Sequence, residues 1–233
     1  MNRPLLFLDV DGPLNPYAAK PERRPDGYTT LRVPRDDEHQ DDRRLTSRRP
    51  LRVWLNPEHG RFLLQLGFEL CWATTWMGDA NRWIAPVLGL PELPFVDFGD
   101  VLLRERPDGV HWKTGPLVDY AGGRPFAWVD DEQSELDQTF VAAHHQGAGL
   151  LHHVNPRIGL LKNDFHLLAD FARSLDTSRT TGRAPRQLFR LLRNSEAADR
   201  WAWLVISAYA QLRLARPSAT DLRRPGEKPT EPN

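Results

Sequence analysis

A single cysteine, Cys71, stands among the 233 residues of the chain. That excludes an intrachain disulfide and any cysteine-rich zinc module. Its place in an apolar run marks it as a buried structural thiol. The formal net charge is zero, so nothing global points to nucleic acid, a membrane surface or an acidic partner. No stretch approaches the about 18 consecutive apolar residues of a membrane-crossing helix. The apolar run ahead of Asp9, residues 5–8, is too short for the core of a secretion signal. The expected compartment is therefore the reducing cytoplasm.

What is present is an ordinary core-forming composition, 40% hydrophobic and 27% charged, with an uneven charge distribution. From Thr177 to Asn233 there are eleven Lys and Arg against five Asp and Glu, so the first 176 residues carry a matching acidic surplus. The sequence reads as one domain over 1–175, a linker over 176–195, a helical segment over 196–216 and a disordered tail over 217–233. The linker is marked by Thr, Ser, Gly and Arg, and the tail by proline and charge.

Within the first part, short apolar runs alternate with helical patterns. Strands are expected at 5–8, 68–73, 95–98, 125–129 and 149–154. Helices are expected near 57–66 (Asn56 as N-cap, Pro57 in the first turn), 79–88 (Asp79 as N-cap), 113–120, 134–144 and 163–175. Residues 27–33 and 51–55 have strand character and can pair as a hairpin across the charged run 35–44, which reads as a solvated loop. Strands alternating with helices predict an α/β fold with a parallel sheet wrapped on both faces.

In such a sheet the reactive groups gather at the carboxyl ends of the strands. Asp9 and Asp11 follow the first strand, Thr74 and Thr75 the second, Asp130 and Asp131 a third, and Lys113 opens a helix just upstream. Clustered carboxylates repel one another and call for a cation, and oxygen ligands select Mg²⁺ over softer metals. A carboxylate beside Mg²⁺ and a lysine can approach a phosphate dianion. An aspartate two residues on can protonate the leaving oxygen and then activate water. Gly12 lets the backbone come close to a ligand, and Thr74 offers a hydroxyl to phosphate.

The segment Leu5-Leu6-Phe7-Leu8-Asp9-Val10-Asp11-Gly12-Pro13-Leu14 resembles the first motif of the haloacid dehalogenase (HAD) superfamily. Trp72-Ala73-Thr74 resembles the second, Lys113 the third and Val129-Asp130-Asp131 the fourth, in the superfamily's order over about residues 1–175. The resemblance implies a Rossmann-like HAD fold and a Mg²⁺-dependent phosphohydrolase. Asp9 would be nucleophile and metal ligand. Asp11 would be general acid/base and give a backbone carbonyl to the metal. Thr74, Thr75, Gly12 and Lys113 would hold the phosphate, with Lys113 also catalytic, and Asp130 or Asp131 would complete the metal site. The second acid, Asp11, points to phosphatases or mutases within the superfamily. Pro13 departs from the pattern by standing where Thr or Val is usual.

The insertion at about 16–55 suffices for a small flap rather than a large cap domain. An open site implies a phosphate on something large. The opening motif, with Asn15-Pro16, is similar to small-cap HAD domains of RNA-repair proteins, which implies a nucleotide or nucleic-acid end phosphate. Two alternatives stand beside it: a non-catalytic nucleic-acid-binding protein using the basic tail and the tryptophans, and a phosphotransferase on the same residues. His144, His145, His152 and His153 lack the spacing of a helical zinc site and read as surface or half-buried. Trp72, Trp76 and Trp83 read as core packing. The C-terminal segment from Glu196 to Pro225 resembles the end of certain actinobacterial transposases without their acidic catalytic core. A fusion remnant and a docked amphipathic helix both fit it.

Overall fold

The computed structural model describes residues 3–34 and 50–181. The expected loop at 35–44, and the tail assignments beyond Thr181, lie outside the described residues. Four apolar runs form a parallel sheet: β1 (Leu5–Leu8), β4 (Glu69–Trp72), β5 (Phe126–Asp130) and β6 (Gly149–His153). Their order is β4-β1-β5-β6, so β1 is central. The register sets Leu8 beside Trp72 on one side and Val129 on the other.

Side chains alternate across the sheet, as the period of a strand requires. Leu6, Leu8, Leu70, Trp72, Ala127, Val129 and Leu150 face one core. Leu5, Phe7, Cys71, Phe126, Trp128 and Leu151 face the other. Against the first face pack α1 (Glu58–Gln65), α2 (Ala85–Leu88) and α5 (Lys162–Thr181), through Leu63, Leu88, Phe165 and Leu168. Against the second pack α3 (Thr114–Ala121) and α4 (Glu135–His144), through Leu117, Val118 and Val141. The strands read as unbroken apolar runs because both faces are covered. Gly60 lets α1 lie on α2, since a Cβ there would come within 1.7 Å of the Leu88 carbonyl oxygen.

The hairpin forms as expected. β2 (Thr29–Val33) pairs antiparallel with β3 (Leu51–Leu55), Thr30 opposite Trp54. One face, with Val33, Val53 and Leu55, joins the first core. α4 starts at a capping box, in which Ser134 and Asp137 each bond the other's backbone N–H, an arrangement that stabilises a helix start by about 1 kcal/mol.

Four local expectations are corrected. Residues 95–98 make a single bridge, Trp72 to Phe95, rather than a strand; Pro94 precedes it and cannot donate to a ladder. The helix at 79–88 opens as a π turn, Ala80–Ile84, before α2, and the Asp79 side chain does not cap it. At α1 the N-cap position is Pro57, while Asn56 still caps through its Oδ1, accepting the Glu58 N–H at 3.1 Å. α5 runs on to Thr181, so the helix continues past Leu175, where the linker was expected to begin.

His59 of α1 is buried between the rings of Tyr28 and Phe165, and its Nδ1 has no hydrogen-bond partner. Burial lowers the imidazole to about 4, opposed by Asp164. Unfolding frees it to bind a proton near pH 6.5. Its contribution is therefore fully present above that pH and is lost as pH falls from about 6.5 to about 4. The loss is roughly 3 kcal/mol. Urea denaturation from pH 7 to 4.5 is expected to show a shallower acid limb for His59→Phe than for the wild type.

Candidate functional site

The carboxyl ends of three adjacent strands supply the site. Asp9 leaves the central strand and its N–H donates to the Val129 carbonyl at 3.1 Å, which sets it level with Asp130 on β5. Thr74 follows β4 on the other side and is 1% exposed. Thr75 is half-buried beside it. Lys113 occupies the N-cap position of α3 and is buried to 1% exposure. Its Nζ donates to Asp9 Oδ2 at 2.7 Å and to Asp130 Oδ2 at 2.8 Å. One ammonium thus bridges two carboxylates.

The remaining lone pairs are also engaged. Asp9 Oδ1 accepts the Val10 N–H at 2.7 Å. Asp130 accepts from Trp128 Nε1 and from the Glu132 N–H. Burial alone would raise Asp130, but Lys113 and His111 hold its carboxyl below the usual range. Burial would lower the Lys113 ammonium, yet Asp130 and Asp9 keep it raised. Asp9 is the partner left short of charge compensation. Burial pushes it up to about 8 despite Lys113, and Asp130 and Asp11 add to the rise. Asp131 is likewise raised well above a normal carboxyl, by burial first and then by Asp130 and Glu132.

Asp9, Asp130 and Asp131 each offer an oxygen, and these oxygens lie within 4.8 Å of one another. Among the described residues no other group of three His, Cys, Asp or Glu side chains does so. Three carboxylates sharing one lysine have a cation deficit. A donor set of oxygens alone suits a hard divalent ion. Gly12, at φ +92°, lies against this group, and a Cβ there would fall 2.2 Å from Asp131 Oδ1. The glycine is needed both for its backbone angle and for the space.

Asp11, expected to bind metal as well as to act as acid and base, is not among the three acids whose oxygens cluster. Its Oδ1 accepts from Asn15 Nδ2 at 2.7 Å and its Oδ2 from Trp76 Nε1 at 2.8 Å. Burial raises it, and these two donors offset part of the rise. Pro13 does not open the loop: the Gly12 N–H bonds the Asn15 carbonyl, Leu14 and Asn15 donate to the Val10 carbonyl, and the Pro13 carbonyl accepts from Leu160.

Several contributors escape sequence reasoning. Trp76 packs against the first core, as expected, and its half-buried indole also donates to Asp11. Trp72 is in the core, and Trp83 is half-buried under Arg82. Tyr17 donates its hydroxyl to Asp131 Oδ2 at 3.0 Å. His111 takes the Lys113 N–H on Nδ1 and meets Glu132 with Nε2 at 3.1 Å. Asp137, fully buried, accepts from the His111 N–H and the Thr114 hydroxyl, and so braces the start of α3. The only signal for this in the sequence is the Ser134-x-x-Asp137 spacing.

Two of the four histidines are more buried than expected: His145 packs on Phe126 and bonds the Arg124 carbonyl, and His152 bonds Asp164. His144 is exposed and His153 half-buried, as expected. No helix among the described residues is long and apolar enough to cross a membrane. No protein-family model, curated protein or solved structure matches the chain.

Proposed function

We propose that this chain is a phosphohydrolase of the HAD superfamily, cleaving phosphomonoesters through an aspartyl-phosphate at Asp9 with Mg²⁺ as cofactor. The observation that carries the reading is Lys113 Nζ bridging Asp9 and Asp130, with Asp131 close enough to share a cation with both. Asp9, one or both of Asp130 and Asp131, and the Asp11 backbone carbonyl would hold the ion. Bound there, Mg²⁺ would supply the positive charge that lets a carboxylate approach a phosphate dianion.

The chemistry assigned to the chain has two steps. In the first, an Asp9 oxygen bonds to phosphorus as the ester P–O bond breaks, and Asp11 gives its proton to the departing oxygen. In the second, Asp11 takes a proton from water, and the water oxygen displaces Asp9 from phosphorus, releasing inorganic phosphate. Lys113 holds Asp9 in place and meets the charge on the phosphoryl oxygens. Thr74, Thr75 and the Gly12 backbone complete the phosphate cradle.

The flap supports a substrate larger than a sugar phosphate. Between Asp11 and β4 the described residues hold one hairpin and the core helix α1, and between Thr74 and Lys113 a π turn, α2, a bridge segment and the short 3-10 turn Gly99–Val101. Neither is a domain that could enclose a small molecule. A nucleotide or nucleic-acid end phosphate is the class proposed. The test is Mg²⁺-dependent release of phosphate from p-nitrophenyl phosphate and from end-phosphorylated oligonucleotides. Release from neither would refute the reading.

The metal assignment has its own test. Gly12→Ala is expected to push Asp131 out of the triad and weaken Mg²⁺ binding about 10- to 100-fold. Thermal unfolding across a Mg²⁺ series checks it. A midpoint that responds to Mg²⁺ as in the wild type would contradict the placement of Asp131 at the metal.

A further inference from the structure

Every polar group of Asn15 is engaged, although the residue is only 4% exposed and carries no charge. Its N–H donates to the Val10 carbonyl at 2.8 Å, and its carbonyl accepts from Gly12 and Tyr17. Its side chain faces two ways. Nδ2 donates to Asp11 Oδ1 at 2.7 Å, and Oδ1 accepts the Trp54 N–H at 3.0 Å. Trp54 belongs to β3, the inner strand of the hairpin, and is itself buried. One amide therefore joins the hairpin backbone to the carboxylate two residues beyond Asp9. Trp76 holds the other oxygen of that carboxylate from the loop after β4.

We propose that Asn15 is a positioning residue that aims the Asp11 carboxyl at the leaving oxygen and makes that aim depend on the seating of the β2–β3 hairpin. This rests on the hydrolase reading above. A carboxyl that delivers a proton must keep one lone pair free and pointed at the reacting atom. Two N–H donors, one to each oxygen, fix the plane of the Asp11 carboxyl and leave its outer lone pairs open. Ionised aspartate at position 15 could take the Trp54 N–H but would set a second negative charge against Asp11 with nothing to donate. Alanine could do neither. Asparagine has both an acceptor and a donor at the required reach.

The consequence is selective for the leaving group. A p-nitrophenolate departs without much help from a proton, whereas an alkoxide needs one. The value of kcat/KM covers the steps through departure of the alcohol. Asn15→Ala is expected to lower kcat/KM on an alkyl phosphate about 100-fold, with a far smaller change on p-nitrophenyl phosphate. On p-nitrophenyl phosphate kcat and KM are expected to fall together, because the second step still needs Asp11 as base. Asn15→Leu, nearly the same shape but with no N–H to give Asp11 and no added charge, is expected to give the same selectivity and secures the comparison if Asn15→Ala does not fold.

Equal losses of kcat/KM on both substrates, or no loss on either, would overturn the positioning role while leaving Asp9-dependent hydrolysis intact. A wild-type chain with no Asp9-dependent turnover would overturn the hydrolase reading and this inference with it.

Discussion

Asp9→Asn is expected to lower Mg²⁺-dependent phosphate release by on the order of 10⁴-fold or more, because the nucleophile has no substitute in the site. The nearest other carboxylates have partners of their own. Asp130 is held by Lys113, Trp128 and the Glu132 backbone, Asp131 by the Tyr17 hydroxyl, and Asp11 by Asn15 and Trp76. The same substitution is expected to leave the fold intact. It removes a charge that burial, Asp130 and Asp11 all disfavour, and Lys113 keeps its bond to Asp130. In the presence of chelator the unfolding midpoint of Asp9→Asn is therefore expected to be no lower than that of the wild type. Turnover equal to the wild type would remove Asp9 from the nucleophile's role. A collapsed fold would show that the electrostatic account of the site is wrong.

Lys113→Met is the second large effect, and it falls on stability as well as activity. Methionine fills a similar volume but leaves Asp9 and Asp130 buried with no cation between them. Removing one partner from a buried ion pair costs about 3–5 kcal/mol, and here a single lysine serves two acids. For a domain of this size that corresponds to a fall in unfolding midpoint of roughly 6–20 °C. Added Mg²⁺ is expected to recover part of the loss, since the ion replaces the missing positive charge among Asp9, Asp130 and Asp131. Turnover is expected to fall about 10²- to 10³-fold even with saturating metal, from loss of the ammonium beside the phosphoryl oxygens. An unfolding midpoint unchanged from the wild type, with or without Mg²⁺, would mean that Lys113 does not hold the acids together.

The sheet was legible because its strands are buried on both faces. Such strands appear as unbroken apolar runs, and each of three runs here stops at an acid or hydroxyl. Leu5–Leu8 before Asp9, Glu69–Trp72 before Thr74 and Phe126–Asp130 ahead of Asp131 are such places. That pattern is local, so a single sequence carries it. The side chains that orient the site depend on contacts between distant segments. Asn15 meets Trp54, Trp76 meets Asp11, and Tyr17 meets Asp131. The motif around Asn15 includes it beside Pro16, but nothing within a few residues shows that its side chain reaches Trp54. The same reason accounts for Phe95: an isolated aromatic next to proline reads as strand, and only the sheet edge shows that one bridge forms. The end of α5 was missed because Thr, Ser and Gly are weak helix formers, a small preference that the preceding helix overrides through Thr181.

The burial of charge at the site also explains why composition was silent about function. A net charge of zero says nothing of three carboxylates and one lysine packed at the end of β1 and β5. Their mutual repulsion, relieved by one ammonium, is the physical feature that supports the proposed divalent cation.

The central claim is a covalent phosphoryl group on Asp9. The most direct measurement is to quench the wild-type protein during turnover of p-nitrophenyl phosphate with Mg²⁺, reduce it with borohydride, and map the modified residue by peptide mass spectrometry. Reduction converts an acyl phosphate, but not a free carboxylate, to the alcohol. The account predicts homoserine at position 9, present only when both substrate and Mg²⁺ are supplied. Sustained phosphate release under trapping conditions with aspartate unaltered at position 9, or with the label at another residue, would contradict it.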